Sequence, residues 1–518
     1  MVTGCTSIQQ WRDNGFKVGP NYFRPIVPVA NDWIDSDEPD VVVQQDAIPD
    51  WWRVFNDPTL EHLVHTAYQQ NLSLRAAGLR VLRARADRDI SSGNLFPQSQ
   101  NFGGEFSRQR VSQTTANAAP FIPRSFDNWQ TGFDFSWEID VWGRLRRAIE
   151  AADANLDAQI ENYDDILVTL IGDVAATYIE LRSFDERLDL AEKNAELQQG
   201  SLDLAETRFD EGRVPNLDVQ QATSNHADTL ALIPSLRRGR RLALNRLAIL
   251  LGMSPVELAP LLAERRNVPD APALAVVGIP AELLRRRPDV RAAERSVAAQ
   301  SAQIGIAKAE LYPRFGLVGD ISLSSQNFSD LFSSASGAGL IAPGFSWKIL
   351  NYGRLVNGVR VQELRFQEAV VDYENAVLSA HREVEDAMVQ FLESKERIVQ
   401  LRRSVEAAKN SAELVQIQYA EGQVDFGRVF VLESALVQRQ DQLVATEANV
   451  AIALVRLYKA LGGGWQLRLS NRYCGQYATE LIRNSHDSVT EVGPEDVRLP
   501  ESETSTEISL DRKEETSP

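Results

Sequence analysis

Phe135-Ser-Trp-Glu-Ile-Asp-Val-Trp-Gly-Arg-Leu145 is the stretch that decides the fold of this 518-residue chain. From Trp129 to Val141 apolar and polar residues alternate, which is the period of a β-strand with one apolar and one polar face. At Gly143 the spacing becomes helical, and no proline follows until Pro215. The stretch therefore predicts a two-faced strand that leads directly into a very long helix.

The same stretch occurs a second time later in the chain. Phe345, Trp347 and Gly353 repeat Phe135, Trp137 and Gly143, each at an offset of 210 residues (345 − 135). The offset persists downstream, where Glu421-Gly422 repeats Glu211-Gly212. A generic coiled coil would not repeat a strand together with its Gly-Arg-Leu exit. The chain is therefore two copies of one unit, in the order helix, hairpin, long helix, long helix.

The repeat predicts a mainly α fold with a small β part, built on long antiparallel helices with a coiled-coil-like seam. Pro234 is expected to kink or interrupt one of these helices. The chain is predicted to begin with a lipobox and extended arm over 1–57. The first copy covers 58–252, with a helix over 58–96, a hairpin over 99–142 and long helices over 143–211 and 215–252. A Pro- and Ala-rich linker over 253–278 leads to the second copy over 279–465, which has a first helix, a hairpin over 314–350 and long helices over 353–421 and 424–462, and an acidic tail over 466–518 is expected to be disordered.

Composition argues against several classes of protein. A net charge of −18 and a pI near 4.9 disfavour a nucleic-acid-binding surface. No apolar run is long enough for a transmembrane helix, and two cysteines are too few for a disulfide framework. His62 and His65 have metal-like spacing, but few histidines and no nearby cysteine favour a surface or packing role. We find no catalytic arrangement and predict no enzyme activity, no cofactor and no metal site.

The first residues, Val2-Thr3-Gly4-Cys5, fit a bacterial lipobox, in which small residues precede a cysteine that becomes the acylated N-terminus. The basic and apolar regions of a signal peptide are missing before it. We predict lipidation of Cys5, and an incidental cysteine is the alternative.

Two further stretches carry a resemblance to a known family. They are Gly19-Pro20-Asn21-Tyr22 with the later Trp51-Trp52 and Asp57-Pro58, and Arg285-Arg-Arg-Pro-Asp-Val-Arg-Ala-Ala-Glu294. Together with the two Gly-Arg-Leu exits, they resemble the TolC-like outer-membrane factor family, in its lipoprotein (NodT-type) branch, over residues 19–465. The resemblance implies a trimer whose long helices form an α-barrel and whose chains each give four strands to a twelve-stranded transmembrane β-barrel.

The strand pattern by itself, without the family resemblance, predicts that several chains share one barrel. A four-stranded sheet with one apolar face leaves that face and both edges exposed, and a closed barrel needs about eight strands. The chains must therefore share strands, unless the sheet packs in a soluble β-sandwich. The strand-to-helix exits are Gly143, Arg144, Gly353 and Arg354. Candidates for the lipid face or an aromatic girdle are Trp129, Phe133, Phe135, Trp137, Phe345 and Trp347, with Trp142 beside them.

The resemblance also implies a periplasmic gate where the long helices turn back. Candidate gate residues are Asp210, Glu211, Gly212, Arg213, Asp218, Glu421, Gly422, Asp425 and Arg428, with Glu433 nearby. Asp218 and Arg428 occupy equivalent positions of the two copies. Because Arg428 is basic, a simple ring of acidic residues is not expected there, and a contact between Asp218 and Arg428 is the hypothesis instead. Solvated helix ends are the alternative.

The function implied is the passive exit channel of a tripartite (RND-type) efflux pump for small toxic molecules, in the bacterial outer membrane. The implied partners are two further copies of the chain, a periplasmic adaptor (membrane fusion) protein, an inner-membrane transporter and outer-membrane lipid, with no nucleic acid. An exit channel for type I protein secretion and a periplasmic coiled-coil scaffold without a pore stay open as alternatives.

Overall fold

The computed structural model describes residues 7–30, 32–43, 49–112, 124–272, 274–278 and 285–469. The predictions for Cys5 and for the tail beyond residue 469 lie outside the described residues. The helices are α1 Ile8–Asp13, α2 Pro58–Gln70, α3 Leu72–Gly93, α4 Arg144–Asp210, α5 Asn216–Leu251, α6 Pro255–Leu261, α7 Pro288–Ala309, α8 Arg354–Ala420 and α9 Phe426–Ala460. The strands are β1 Val41–Val43, β2 Ser99–Arg110, β3 Ser125–Ile139, β4 Ala275–Val277, β5 Arg314–Ser325 and β6 Gly337–Ser346.

The duplication is visible in the longest helices. α4 and α8 each contain 67 residues, so each is roughly 100 Å long at 1.5 Å per residue. Helices of this length need lateral packing along their whole course. α4 supplies much of it, since it packs against α3, α5, α7 and α9, whereas α8 packs against α7 and α9.

Of the two effects predicted for Pro234, the interruption is wrong, because α5 continues through it, and the kink stays a prediction. Proline removes one backbone hydrogen bond and crowds the preceding turn. Packing beside it offsets this cost, since Ile233 and Leu236 are buried against Leu188 and Ala191 of α4.

In place of the single helix predicted over 58–96 there are two helices, because the helical hydrogen bonding is interrupted at Asn71. The Asn71 side chain accepts a hydrogen bond from the Leu74 backbone N–H (2.8 Å) and so caps α3. Its amide nitrogen donates to the Leu250 carbonyl oxygen (2.8 Å), which ties the break to the end of α5. The linker is also more ordered than its composition suggests, since β4 within it pairs in parallel with β1 of the arm.

A second sheet carries the main β structure, with antiparallel strands in the order β2-β3-β5-β6. β3 ends at Ile139 and β6 at Ser346, earlier than the predicted ends at 142 and 350. The next residues serve the helices instead: the Asp140 carboxylate accepts from the Leu145 backbone N–H (3.0 Å) at the start of α4.

The register of this sheet places like residues opposite each other. Phe133 lies opposite Phe102 on one side and Ile321 on the other, while Asp134, on the other face, lies opposite Asn101 and Asp320. One face is therefore apolar across all four strands and the other mostly polar. The apolar face carries Phe102, Phe106, Trp129, Phe133, Phe135, Trp137, Ile139, Phe315, Leu317, Ile321, Leu323, Ile341, Pro343 and Phe345.

The N-terminal arm, predicted to be extended, is fastened along the helices by side chains. Tyr22 donates its hydroxyl to Glu294 of α7 (2.9 Å), and the buried Trp33 indole donates to the Gly278 carbonyl oxygen (2.8 Å). Trp51 lies in a short 3₁₀ turn and stacks on Tyr458 of α9, with ring centroids 5.6 Å apart. The arm also contacts the first copy, where Arg147 of α4 donates to the Val18 carbonyl oxygen (3.2 Å), so it joins elements of both copies.

No single helix in the described part of the chain is both long and apolar enough to cross a membrane. The bent pair α5 and α6 passes such a test by length and composition alone.

Gly19 gives a test of how closely the arm must approach the helices. Its φ is +90°, and a Cβ there would lie 2.4 Å from the Gly305 Cα atom. We expect Gly19→Ala to lower the free energy of unfolding by about 1–3 kcal/mol, because backbone cannot move aside as a side chain can. Denaturant unfolding of the purified protein measures this. Gly200→Ala on α4, where a Cβ meets nothing within 4 Å, is the control and should raise stability by up to about 1 kcal/mol. Equal effects of the two changes would contradict the close approach.

Candidate functional site

The first strand-to-helix exit depends on a left-handed glycine and on charged side chains. Gly143 has φ +79°, a backbone region that glycine adopts without strain. Arg144 donates two hydrogen bonds to the Glu138 carboxylate, at 2.9 and 2.8 Å. Asp140 accepts from the backbone N–H groups of Leu145 and Arg146, both at 3.0 Å, and so caps α4. The exit is therefore a fixed corner.

The second exit has the same backbone and different side-chain partners. Gly353 has φ +80°, and its backbone N–H donates to the Asn351 side chain (3.2 Å). Lys348, which stands where the first copy has Glu138, pairs with Glu310 (3.3 Å). Arg354 donates to the Asn351 carbonyl oxygen (3.3 Å) instead of a carboxylate. The two corners thus share geometry but not chemistry.

Three tryptophans tie the helix-side end of the sheet to the residues that directly follow α3 and α7. The Trp137 indole N–H donates to the Leu95 carbonyl oxygen (3.0 Å), and Trp347 makes the repeat-equivalent bond to Leu311 (3.0 Å). Trp142 donates to the Pro313 carbonyl oxygen (2.8 Å) and so joins the two copies. Trp142 and Trp347 lie just beyond the strands, not on them as predicted.

Aromatic rings also gather at the opposite end of the sheet. Trp129 contacts Phe106 (ring centroids 4.4 Å apart) and Phe328 of the β5–β6 connection (5.0 Å). Between the two ends the apolar face is open: Phe133 is 41% exposed and Ile321 67% exposed, and Phe345, at the helix-side end of β6, is 70% exposed. This distribution, amphipathic rings at both ends and bare apolar side chains between them, is typical of a membrane-facing sheet.

At the far ends of the long helices, both turns have the same backbone. Gly212 and Gly422 have φ +70° and +79°, and their N–H groups donate to the carbonyl oxygens of Phe209 (2.8 Å) and Tyr419 (2.9 Å). Such left-handed glycines end helices by satisfying free carbonyl groups. Most of the predicted gate residues are exposed here, namely Asp210, Glu211, Gly212, Arg213, Glu421, Gly422, Asp425 and Arg428.

Local pairs occupy several of these exposed groups. Arg213 lies 3.0 Å from the Glu211 carboxylate of its own turn. Asp425 caps α9 by accepting from the Arg428 backbone N–H (3.1 Å). Among the described residues, no ion pair joins Arg428 to Asp218 within the subunit.

Asp218 instead contacts the other turn through a tyrosine. It is buried, and its carboxylate accepts the Tyr419 hydroxyl (3.3 Å). Burial and the neighbouring Asp218 raise the pKa of Tyr419 to about 12, so the hydroxyl remains a donor at neutral pH. The Arg208 guanidinium lies over the Tyr419 ring (4.9 Å to its centroid) and donates to the Tyr419 carbonyl oxygen. Phe426 packs edge-on against the same ring, with centroids 5.3 Å apart.

Sequence reasoning did not single out Arg208, Tyr419 or Phe426. One signal was available, because Tyr419 occupies the position of Phe209 in the first copy, and both lie just before a Glu-Gly turn. The two rings differ in environment: Phe209 is 42% exposed and Tyr419 only 2%. The second-copy ring is therefore the one that contacts the first copy.

The histidine pair has packing partners in the structure. His65 lies edge-on to the Trp52 ring and 3.8 Å from Glu61. Within the described ranges no group of three or more His, Cys, Asp or Glu side chains could hold a metal ion.

Comparison with known proteins is consistent with this geometry. The profile of the family described as Outer membrane efflux protein matches residues 63–253 and 279–463, one block for each copy. The chain is 33% identical to the pyoverdine export outer membrane protein OpmQ of Pseudomonas putida, over 81% of this chain and 89% of the relative. It is 31% identical to the toluene efflux pump outer membrane protein TtgF of Pseudomonas putida, over 87% of this chain and 95% of the relative. Among solved structures, the outer-membrane channel OprN superposes with a TM-score of 0.80 and 33% identity, over 87% of this chain and 99% of that one.

The contact between the turns can be tested with two arginines of the same region. Arg208→Gln should loosen the turns, because it removes both the ring contact and the bond to the Tyr419 carbonyl oxygen. We expect faster amide hydrogen exchange around Gly212 and Gly422, by about fivefold to tenfold for a loss of about 1 kcal/mol. Arg213→Gln is the control, since Arg213 is exposed and its ion pair, with Glu211, lies within its own turn. Equal exchange in the two variants would contradict a holding role for Arg208.

Proposed function

The chain belongs to the outer membrane efflux protein family, and from that premise we propose that three copies form an exit channel for small organic molecules. The premise is supported by the match of both copies to the family profile and by the similarity of the fold to that of a solved outer-membrane channel. The protein is an efflux channel component of the bacterial outer membrane. Its trimeric assembly, gate, cargo and partners are the substance of the proposal.

The observation that carries the proposal is the two-faced sheet. Its apolar face is bare in the single chain, with Phe102 79% and Ile341 69% exposed. Its outer strands, β2 and β6, each have one edge without a partner strand among the described residues. In lipid, such a sheet is stable only when it closes, with apolar side chains outward and polar side chains around a lumen.

The duplication specifies how closure would occur. Within the chain β3 of the first copy pairs with β5 of the second, and α4 packs against α7 and α9. The equivalent contacts of the second copy would join β6 to β2, and α8 to α3 and α5. A single chain cannot make those contacts, so they belong to a neighbouring subunit related by nearly the same rotation.

Exposed apolar side chains occur where those contacts would form. On α8 they are Val356, Val361, Leu364, Val371, Leu378, Val389, Val399, Leu414 and Ile417. On α3 and α5 they are Leu72, Leu79, Leu82, Ile90, Leu217, Leu230, Leu232, Leu242 and Ile249. Burying such surfaces against each other supplies the lateral packing that α8 lacks in the single chain.

Three copies are the number that family resemblance implies, and they give twelve strands from four per chain. Twelve exceeds the roughly eight strands at which side chains fill a barrel, which leaves an aqueous lumen. The helices would continue this lumen as an α-barrel into the periplasm, and lipidation of Cys5 would add an anchor in the membrane.

The turns would form the gate at the periplasmic end. Tyr419 holds Asp218, so the two turns of a subunit stay together, while exposed carboxylates at Asp210, Glu211 and Glu421 face solvent. Rings of such carboxylates would favour cations over anions. The Asp218–Arg428 hypothesis survives only as a contact between subunits.

The printed functions of the relatives bear on the cargo. OpmQ exports pyoverdine and TtgF belongs to a toluene efflux pump, so both names denote small organic molecules rather than proteins. We therefore favour efflux over protein secretion, with a periplasmic adaptor and an inner-membrane transporter as partners. Transport would be passive through the lumen, and no chemical step is assigned to the chain.

Neighbouring residues of β6 provide a matched test of the two faces. Ile341→Arg should prevent trimer assembly in the outer membrane, because a charge on the lipid face costs about 2–4 kcal/mol per chain. Leu340→Arg, equally apolar and exposed but on the polar face opposite Asp320, should assemble and restore solvent and drug resistance to a channel-deficient strain. Membrane fractionation, mass in detergent and susceptibility measure this. A soluble body or a scaffold without a pore predicts no difference between the two variants.

The gate makes a separate prediction. Tyr419→Phe keeps the ring and removes the hydrogen bond to Asp218, a loss of about 1 kcal/mol. We expect more frequent open events and higher mean conductance in planar bilayers, with unchanged trimer yield. Phe209→Tyr, which adds a hydroxyl at the equivalent exposed position, should leave conductance unchanged. Wild-type conductance in Tyr419→Phe would show that this bond does not hold the gate.

A further inference from the structure

Glu433 of α9 is a buried carboxylate surrounded by neutral donors. It is 4% exposed, and it accepts hydrogen bonds from the Ser201 hydroxyl (2.8 Å), the Asn225 amide (2.8 Å) and the Gln416 amide (2.7 Å). These donors come from α4, α5 and α8, so the carboxylate lies where all four long helices meet. Its repeat equivalent is Thr223 (433 − 210), so the group belongs to one copy only.

The donors are oriented for the ionised form of Glu433. Ser434 donates to the Asn225 side-chain oxygen (2.8 Å), which leaves the Asn225 amide nitrogen to donate to the carboxylate. Three converging donors favour the charge, whereas burial raises the pKa of Glu433 and opposes it. Among the described residues no Lys, Arg or His lies within ion-pair distance. A buried carboxylate of this kind is costly unless it takes up a proton or a positive charge lies beside it, and the three donors favour the second case.

A cavity of about 150 Å³ lies directly beside the carboxylate. Gln198 lines it and is 3% exposed, and within the described part of the chain neither its amide oxygen nor its amide nitrogen has a hydrogen-bond partner. Asn194 and Gln440 line it too and bond to each other (2.7 Å). Inside the cavity the lining therefore offers one buried carboxylate and several amide oxygens, which are ligands for hard cations.

We propose that this cavity binds one monovalent metal cation, Na⁺ or K⁺, between Glu433 and the Gln198 amide oxygen. A single buried carboxylate balances one positive charge. Ca²⁺ takes six to eight oxygen ligands and its sites usually contain several carboxylates, so a divalent ion fits the donor set less well. The ion would join α4 to α8 and α9 a few helical turns from the candidate gate, and the proposal does not depend on the channel function.

The charged groups at the mouth of the cavity offer another source of positive charge for Glu433. Lys409 and Glu413, both on α8, line the mouth, and their charged groups lie 4.0 Å apart with side chains more than half exposed. In this alternative the Lys409 ammonium turns inward and neutralises Glu433 without a bound ion. The test must therefore separate a metal cation from this lysine.

The experiment compares the thermal unfolding midpoint of the detergent-purified protein in NaCl, KCl and N-methylglucamine chloride at equal ionic strength. We expect one alkali salt to raise the midpoint by about 2 °C over the organic cation. Glu433→Gln should abolish the difference, whereas Glu206→Gln, which removes an exposed carboxylate of α4, should keep it. Lys409→Met should also keep or enlarge it. Equal midpoints in wild type, a difference that survives in Glu433→Gln, or a difference that appears only in Lys409→Met would each overturn the proposal.

A second measurement does not require Glu433→Gln to fold. Thallium(I) substitutes for both Na⁺ and K⁺ and scatters anomalously. Wild-type crystals grown with a thallium salt should show an anomalous peak between Glu433 and Gln198. If KCl is the salt that raises the unfolding midpoint, the absence of a peak in that cavity would overturn the proposal, because thallium(I) is close to K⁺ in size.

Discussion

The arrangement of this protein follows from a sheet that the chain cannot complete by itself. The hairpins of the two copies pair in the middle, through β3 and β5, and leave β2 and β6 at the outside. A soluble protein would cover an apolar face such as this one with helices or a second sheet. Here the helices instead continue from the strand ends, through left-handed corners at Gly143 and Gly353. In the proposed trimer the apolar face would meet lipid, and the two outer edges would pair with other subunits.

The same incompleteness runs through the helices, and it explains why two copies of one unit differ so much in burial. α4 has helices of both copies around it and buries a continuous series that includes Leu167, Ile171, Val174 and Tyr178. α8 has the same length and origin, yet it lacks the equivalent neighbours and exposes apolar residues along its course. The pseudo-symmetry thus indicates which exposed surfaces would meet in the proposed trimer, namely that of α8 and those of α3 and α5.

Much of this frame was predictable from the sequence, because its signals are local or repeated. Alternation predicted the strands, the return of Glu-Gly predicted the turns, and the repeat predicted the order of elements. The break at Asn71 was not predictable, since its side chain bonds to Leu250, far away in the chain. The continuity of α5 through Pro234 likewise depends on packing against α4. Propensity describes a residue alone, whereas these outcomes depend on a neighbour that only the fold supplies.

The candidate gate was the least predictable part for a further reason, which concerns the copies themselves. Two identical turns could not hold each other as these do, because Asp218 needs a donor opposite it and an identical copy would offer Phe209 or another Asp. The contact forms because the copies diverged: Tyr419 replaces Phe209, and Arg428 replaces Asp218. The buried Glu433, where the first copy has Thr223, lies in the same region. Duplication therefore accounts for the order and packing of the elements, while the differences between the copies account for the contact between the two turns. Any mechanism that separates the turns must break the contacts that those differences created.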